Sequence, residues 1–144
     1  MKEKSILKKV FSFVLIIVIF FLLGLILYFQ NKPLIDISED ILRVYYFNIG
    51  QGDCTLEINN GKTMLIDGGN EADSQNLINY MKRLGITKLD YVVATHYDID
   101  HIAGLDKIIL AFDAGTIYMP TTSETNKEIQ ELNDAIKGKR NYTS

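Results

Sequence analysis

The chain has 144 residues and a formal net charge of −3, which leaves room for one domain and excludes a strongly basic protein. Its single cysteine, Cys54, excludes an intramolecular disulfide. From residue 33 onward, ten Lys and Arg face seventeen Asp and Glu, a charge of −7. An acidic surface disfavours nonspecific binding to nucleic acid or to anionic lipid, because both depend largely on Lys and Arg.

The first element is an apolar segment at Val10–Phe29, interrupted only by Ser12 and Gly24. Twenty helical residues span roughly 30 Å, the thickness of a bilayer core. A cleaved signal peptide has a shorter apolar core that is followed by a small-residue cleavage site. Here the apolar segment is longer, and it ends in Leu27, Tyr28 and Phe29 without such a site. We therefore predict a cytoplasmic N-terminus (1–9), an uncleaved transmembrane anchor (10–29) and an extracellular remainder, because four lysines precede the segment. They are Lys2, Lys4, Lys8 and Lys9.

A short linker (30–40) precedes a domain that we place at residues 41–144. Strands are predicted at 43–47, 54–58 and 62–67 from β-forming residues and alternating polarity. Asn59, Asn60 and Gly61 predict a hairpin turn between the second and third strands, because Asn and Gly tolerate positive φ.

The remaining elements alternate between helix and strand. A helix is predicted from Asp73 to Leu84, with Asp73 or Ser74 as its N-cap and Gly85 as its C-cap. A continuously apolar strand at 91–95 is expected to be covered on both faces. The final predictions are helices at 102–112 and 125–137, the second capped by Thr125 and Glu128, with a strand at 116–119 between them. This order predicts an α/β layered domain.

Four potential metal ligands follow the apolar strand within six residues: His96, Asp98, Asp100 and His101. Neutral imidazole and carboxylate are ligands for zinc, manganese and iron. The alternative is a polar loop whose Asp residues cap a helix and whose His residues are incidental. Because both histidines of the chain lie in this one cluster, the metal site is the favoured interpretation.

Three segments resemble one family. Residues 95–104, THYDIDHIAG, are similar to the H-x-H-x-D-H metal motif of the metallo-β-lactamase superfamily. Together with NIGQGD at 48–53 and LIDGG at 65–69, they resemble the extracellular hydrolase domain of ComEC-type DNA-uptake proteins and its stand-alone relatives. The resemblance covers residues 44–119 and implies an αββα sandwich. Asn48 departs from it, because the family usually has Asp there.

The resemblance also implies roles for single residues and a cofactor of one or two divalent ions, zinc or manganese. His96 and Asp98 would hold a first metal, and Asp100 and His101 a second, with Asp100 as the candidate catalytic residue. Asp67 would support the ligand-bearing segment His96–His101, called the metal loop below, through hydrogen bonds. Asp53 would lie at the edge of the site.

The family needs further ligands, including two more histidines, and no histidine follows His101. We therefore expect the N-terminal half of the sandwich, incomplete at its C-terminus, with the other half as a possible partner. The predicted function is a membrane-anchored extracellular hydrolase of phosphodiesters, nuclease-like and linked to DNA uptake. Two alternatives remain open: a hydrolase of small surface phosphoesters such as phosphorylcholine, and a catalytically inactive fragment with a binding role or none.

Overall fold

The computed structural model describes residues 2–139, so the predicted end of the domain at 140–144 lies outside the described residues. The chain divides into two compact units, with the boundary between Lys32 and Pro33. The first unit is one helix, α1 (Lys2–Gln30). Its segment Val10–Gln30 has a mean hydropathy of 3.3 and is long and apolar enough to cross a membrane.

The described part of the second unit, up to Lys139, forms a five-stranded sheet in the order β1-β2-β3-β4-β5. The first three strands pair antiparallel, whereas β3, β4 and β5 pair parallel. The predicted hairpin turn is confirmed, because Asn60 (φ 46°) and Gly61 (φ 74°) both adopt the left-handed conformation between β2 and β3. The strands are β1 (Arg43–Tyr46), β2 (Thr55–Asn59), β3 (Lys62–Ile66), β4 (Lys88–Val93) and β5 (Asp113–Tyr118).

Among the described residues after Pro33, four α-helices accompany the sheet, and their apolar side chains share one core with it. The predicted apolar face of α2 is confirmed, since Leu77, Ile78, Met81 and Leu84 are all buried. Gly85 ends this helix with a φ of 92°, as predicted for a C-cap. The helices are α2 (Ser74–Leu84), α3 (Ile99–Ile102), α4 (Leu105–Ala111) and α5 (Lys127–Lys137).

The segment predicted as a linker contacts the domain. The backbone N–H of Leu34 donates to the carbonyl of Arg83, and that of Gly61 donates to Ile37. Ile35 and Ile37 are half-buried against the core. The compact unit that contains the sheet therefore includes residues of this segment and begins at Pro33.

The face of β4 that points away from the core differs from the prediction. Leu89 and Val92 are buried, but Tyr91 is 39% exposed and stacks on Tyr118, with ring centroids 6.4 Å apart. The strand is therefore not covered on both faces by the described residues, 2–139. An apolar run shows only that a strand is rich in apolar residues. Whether both faces of the strand are buried depends on which layers pack against the sheet.

Three local predictions also need correction. Asp73 occupies the N-cap position of α2 but makes no capping hydrogen bond, because a 3₁₀ turn at Glu71–Asp73 leads into the helix. The cap of α5 is Asn126 instead of Thr125, since its side chain accepts from the N–H of Ile129 at 2.7 Å. The helix predicted at 102–112 is divided into α3 and α4 at Gly104.

Candidate metal centre

The candidate site lies where β3 and β4 end. Ile66 pairs with Val93 in these parallel strands, and the N–H of Asp67 extends the pairing by donating to the Val93 carbonyl at 2.8 Å. Parallel strands bring their carboxyl ends to one edge of a sheet. The residue after β3, Asp67, therefore lies beside the segment His96–His101, in which His96 and Asp98 lie in the loop after β4 and Asp100 and His101 lie in α3.

Asp67 is the buried acceptor at the centre of this edge, with only 2% of its surface exposed. Its Oδ1 accepts from the backbone N–H of Thr95 at 2.8 Å, and its Oδ2 accepts from the Thr95 hydroxyl at 2.6 Å. The φ of Asp67 is +59°, a conformation that non-glycine residues rarely adopt and that costs about 1–3 kcal/mol. These hydrogen bonds hold the strained residue in place.

His101 is oriented by Asp67. Its Nδ1 lies 2.9 Å from Asp67 Oδ2, which leaves Nε2 on the opposite side of the ring. Burial lowers the pKa of His101, but the hydrogen bond that its ring donates to Asp67 and the charges of Asp67, Asp100 and Asp53 outweigh it and raise the pKa above the ordinary 6.5. A carboxylate on one ring nitrogen and a free second nitrogen is the usual arrangement of a metal-binding histidine.

His96 lies against His101, with ring centroids 3.9 Å apart. Its Nδ1 is 2.8 Å from the Thr95 hydroxyl, and its Nε2 is 3.4 Å from Asp98 Oδ2. Two ligands that bind one tetrahedral ion at about 2.1 Å are themselves roughly 3.4 Å apart. The pair His96–Asp98 therefore has the spacing of two ligands of one metal.

The wider donor set also fits a divalent ion. One ligand atom from each of Asp67, His96 and His101 lies within 4.8 Å of the other two. Within this group we assign Asp67 to orientation, since Asp67 Oδ2 already accepts from Thr95 and contacts His101. Imidazole and carboxylate donors at this spacing suit zinc or manganese.

The structure places the other predicted site residues around this group. Asp53 Oδ2 is 3.9 Å from His101 Nε2, and its side chain is 77% exposed. Asp98 is also exposed, and its backbone carbonyl accepts from the N–H groups of His101 and Ile102 at the start of α3. Asp100 is half-buried. Neither Asp98 nor Asp100 belongs to the group of three, so their assignment as ligands stays a prediction.

Two glycines allow the backbone segments around the site to touch. A Cβ on Gly52 would lie 2.1 Å from the carbonyl oxygen of Asp100, and the φ of Gly52 is +109°. A Cβ on Gly104 would lie 2.3 Å from the carbonyl oxygen of Gly68. The Gly104 contact also explains why the helix breaks between α3 and α4. Gly52 thus brings the loop after β1 against Asp100, and Gly104 brings the start of α4 against the loop after β3.

Thr95 is the residue that sequence analysis left without a role. Its hydroxyl contacts both Asp67, which orients His101, and His96, so it links the two histidines through Asp67. The only signal in the sequence is its position directly before His96, and that position alone does not predict which groups the hydroxyl reaches.

Comparison with known proteins decides the family. The model of the metallo-β-lactamase superfamily matches residues 48–139. The chain belongs to this superfamily. The matched segment includes the donor set and both glycine contacts, so the predicted fold class and resemblance are confirmed at this level.

Individual relatives of this metallo-β-lactamase domain are distant. It is 30% identical over 92 residues to Recombination protein 2 of Haemophilus influenzae, a match that covers 60% of this chain and 11% of that protein. A Thermotoga maritima structure named as a metallo-β-lactamase is 19% identical, with a TM-score of 0.48, and the match covers 71% of this chain and 57% of that one. A diphosphatase of the PhnP family is 24% identical, with a TM-score of 0.39, covering 63% and 35%. The chain therefore spans a minor part of its curated relative.

Proposed function

We propose that this protein is a membrane-anchored, extracellular, metal-dependent hydrolase of phosphodiesters. The observation that carries the proposal is the bonded unit Asp67–His101 beside His96. It presents imidazole nitrogens at one sheet edge in a superfamily whose members are generally hydrolases. The apolar segment Val10–Gln30 supports membrane attachment. The similarity to a protein named for recombination supports a nucleic-acid phosphodiester as the substrate.

In this proposal each residue of the candidate site has a defined role. His96 and His101 would hold zinc or manganese, with Asp98 as the carboxylate beside His96 and Asp100 as the carboxylate beside His101. A divalent ion at this position supplies Lewis-acid polarisation of a phosphoryl oxygen and lowers the pKa of water toward neutrality. Asp67 keeps the Nδ1 side of His101 occupied, so that Nε2 would be the nitrogen left to bind the ion. Asp53 lies at the open side of His101, at the edge of the site, and Asp100 is the proposed catalytic residue.

Further ligands complete the site in this proposal. The superfamily resemblance calls for more histidines than His96 and His101, the only two in the sequence. A partner chain or a segment outside this sequence would supply them. Metal affinity of this chain alone is then expected to be below that of a closed four-ligand zinc site.

Hydrolysis assays test the proposal. The full chain in detergent is assayed with bis-p-nitrophenyl phosphate and with single- and double-stranded DNA, with zinc, manganese or a chelator. We expect metal-dependent release of product that is lost in His96→Ala/His101→Ala. Asp113→Asn, which changes an exposed carboxylate on β5, is the matched control. Equal activity of parent and double variant would show that another site, or a contaminant, hydrolyses the substrate.

One observation favours a second candidate, a hydrolase of small surface phosphoesters. The charge of −7 from residue 33 onward repels a polyanion such as DNA more strongly than it repels a small phosphoester. Assays with p-nitrophenyl phosphorylcholine under the same conditions separate the two. Faster metal-dependent turnover of the small ester than of DNA at low and high salt would favour the second candidate.

A further inference from the structure

A small pocket lies outside the metal centre, between the end of β1 and one face of α2. Its volume is 210 Å³, below the roughly 300–1,000 Å³ of pockets for drug-sized ligands. It therefore fits a single chemical group better than a large molecule. None of its lining residues belongs to the metal donor set. They are Phe47, Asn48, Ile49, Asp73, Asn76, Leu77 and Tyr80.

Aromatic rings form one side of this pocket. The ring of Tyr80 stands nearly perpendicular to that of Phe47, at 85° with centroids 5.6 Å apart, and at 67° to that of Tyr45, with centroids 6.4 Å apart. Tyr80 is nonetheless 40% exposed. Perpendicular rings form a corner, and aromatic faces carry the negative part of the ring quadrupole, which attracts cations.

Asp73 is the one charged residue that lines the pocket. Within residues 2–139 its carboxylate makes no ion pair or side-chain hydrogen bond. Its field reaches the core: burial, together with the charges of Asp67 and Asp73, raises the pKa of Cys54 to about 12. The positive end of α2 lies beside Asp73, but a helix terminus carries only about half a charge. The pocket is therefore negative overall.

We propose that this pocket binds the alkylammonium group of a small organic cation. An anion is excluded by Asp73, and a divalent metal ion would find one carboxylate and no histidine among the lining residues. A neutral apolar ligand would cover Asp73 without giving it a partner, which is unfavourable. An alkylammonium group satisfies both features, since its charge pairs with Asp73 and its carbon atoms contact Phe47 and Tyr80. The proposal does not depend on the hydrolase activity.

Saturation-transfer NMR on choline chloride is the test, with the full chain in a maltoside detergent that contains no choline headgroup. The neutral isostere 3,3-dimethylbutan-1-ol is the ligand control, and equal concentrations of sodium chloride control for ionic strength. The variants are Asp73→Asn, Tyr80→Leu and Tyr80→Phe. Tyr118→Leu is the matched control, because Tyr118 is an exposed tyrosine on the opposite face of the sheet. Thermal melts verify that each variant is folded.

We expect saturable binding of choline in the millimolar range, with at least about tenfold weaker binding of the neutral isostere. Asp73→Asn and Tyr80→Leu should each weaken binding by about five- to thirtyfold, while Tyr80→Phe and Tyr118→Leu keep the parent affinity. Equal binding of the isostere, or an unchanged affinity in Asp73→Asn, would overturn the proposal. So would the absence of saturable choline binding to the folded parent.

Discussion

Asp67 Oδ2 lies 2.9 Å from His101 Nδ1, and this contact links the end of β3 to the metal loop that follows β4. Removing the carboxylate frees the imidazole to rotate and removes the acceptor that fixes its tautomer. We expect Asp67→Asn to weaken zinc or manganese binding by about 10- to 100-fold. Titration calorimetry on the full chain in detergent measures it. Asp113→Asn should bind as the parent does, and a parent-like Asp67→Asn would mean that His101 is oriented by other groups.

The histidine pair provides a second prediction. His96→Ala/His101→Ala should abolish transition-metal binding, because the chain has no other imidazole and the thiol of Cys54 is buried. Competition with a zinc-sensitive dye gives the affinities. Asp98→Asn is expected to weaken binding more than Asp100→Asn, because Asp98 Oδ2 is 3.4 Å from His96 Nε2. The reverse order would assign the first carboxylate ligand to Asp100, and retained binding in the double variant would refute the site.

The raised pKa of His101 predicts opposite pH dependences with and without metal. A metal competes with the proton on Nε2, so metal affinity should increase as pH rises through the raised pKa, above the ordinary 6.5. Without metal, a raised pKa in the folded state means that protonated His101 stabilises the fold. That contribution is complete below the unfolded pKa and is lost as pH rises through the folded pKa.

Thermal melts from pH 5 to 9, with a chelator and with excess zinc, test these signs. Zinc-dependent stabilisation should grow with pH, whereas the contribution of His101 to the metal-free protein should fall. His101→Gln is the control and should remove the metal-free pH dependence that His101 causes. A zinc effect that does not change with pH would show that no histidine titrates on binding.

A comparison of alanine substitutions at Gly52 and Gly50 tests the contact between the loop after β1 and Asp100. Both have positive φ, at 109° and 71°, but only at Gly52 would a Cβ meet backbone, 2.1 Å from the Asp100 carbonyl oxygen. Gly50→Ala should therefore cost only the left-handed strain, about 1–2 kcal/mol of unfolding free energy. Gly52→Ala should cost more and should also weaken metal binding, because Asp100 must move. Denaturant unfolding compares them, and equal losses would argue against the contact.

Topology gives the last prediction. Protease added to intact cells should remove the domain from residue 33 onward and leave the tagged N-terminus protected, because the lysines before the apolar segment keep that end inside. Immunoblotting with tags at both ends provides the measurement, and permeabilised cells are the control in which both tags are digested. A soluble, shortened form in the medium would show that the segment is cleaved as a signal peptide.

Much of the fold could be predicted from residues that are local signals. The hairpin at Asn60–Gly61, the apolar face of α2 and its cap at Gly85 follow from backbone preference and side-chain period, which act over a few neighbours. The cap of α5 could not be chosen this way. Thr125 and Asn126 are both residues that favour the N-cap position. The folded backbone begins the helix at Lys127, and this start makes Asn126 the N-cap.

The sequence by itself determined that the two histidines and two carboxylates lie within six residues after a strand, and that an apolar segment of membrane length precedes them. Tertiary structure decided what surrounds the loop. Parallel pairing of β3 with β4 brings Asp67 to His101 across 34 positions, and the hydroxyl of Thr95 joins Asp67 to His96. The pocket at Asp73 and Tyr80 likewise exists only because α2 packs beside β1. Composition and spacing act over a few residues, whereas these contacts depend on register and packing between segments far apart in the chain.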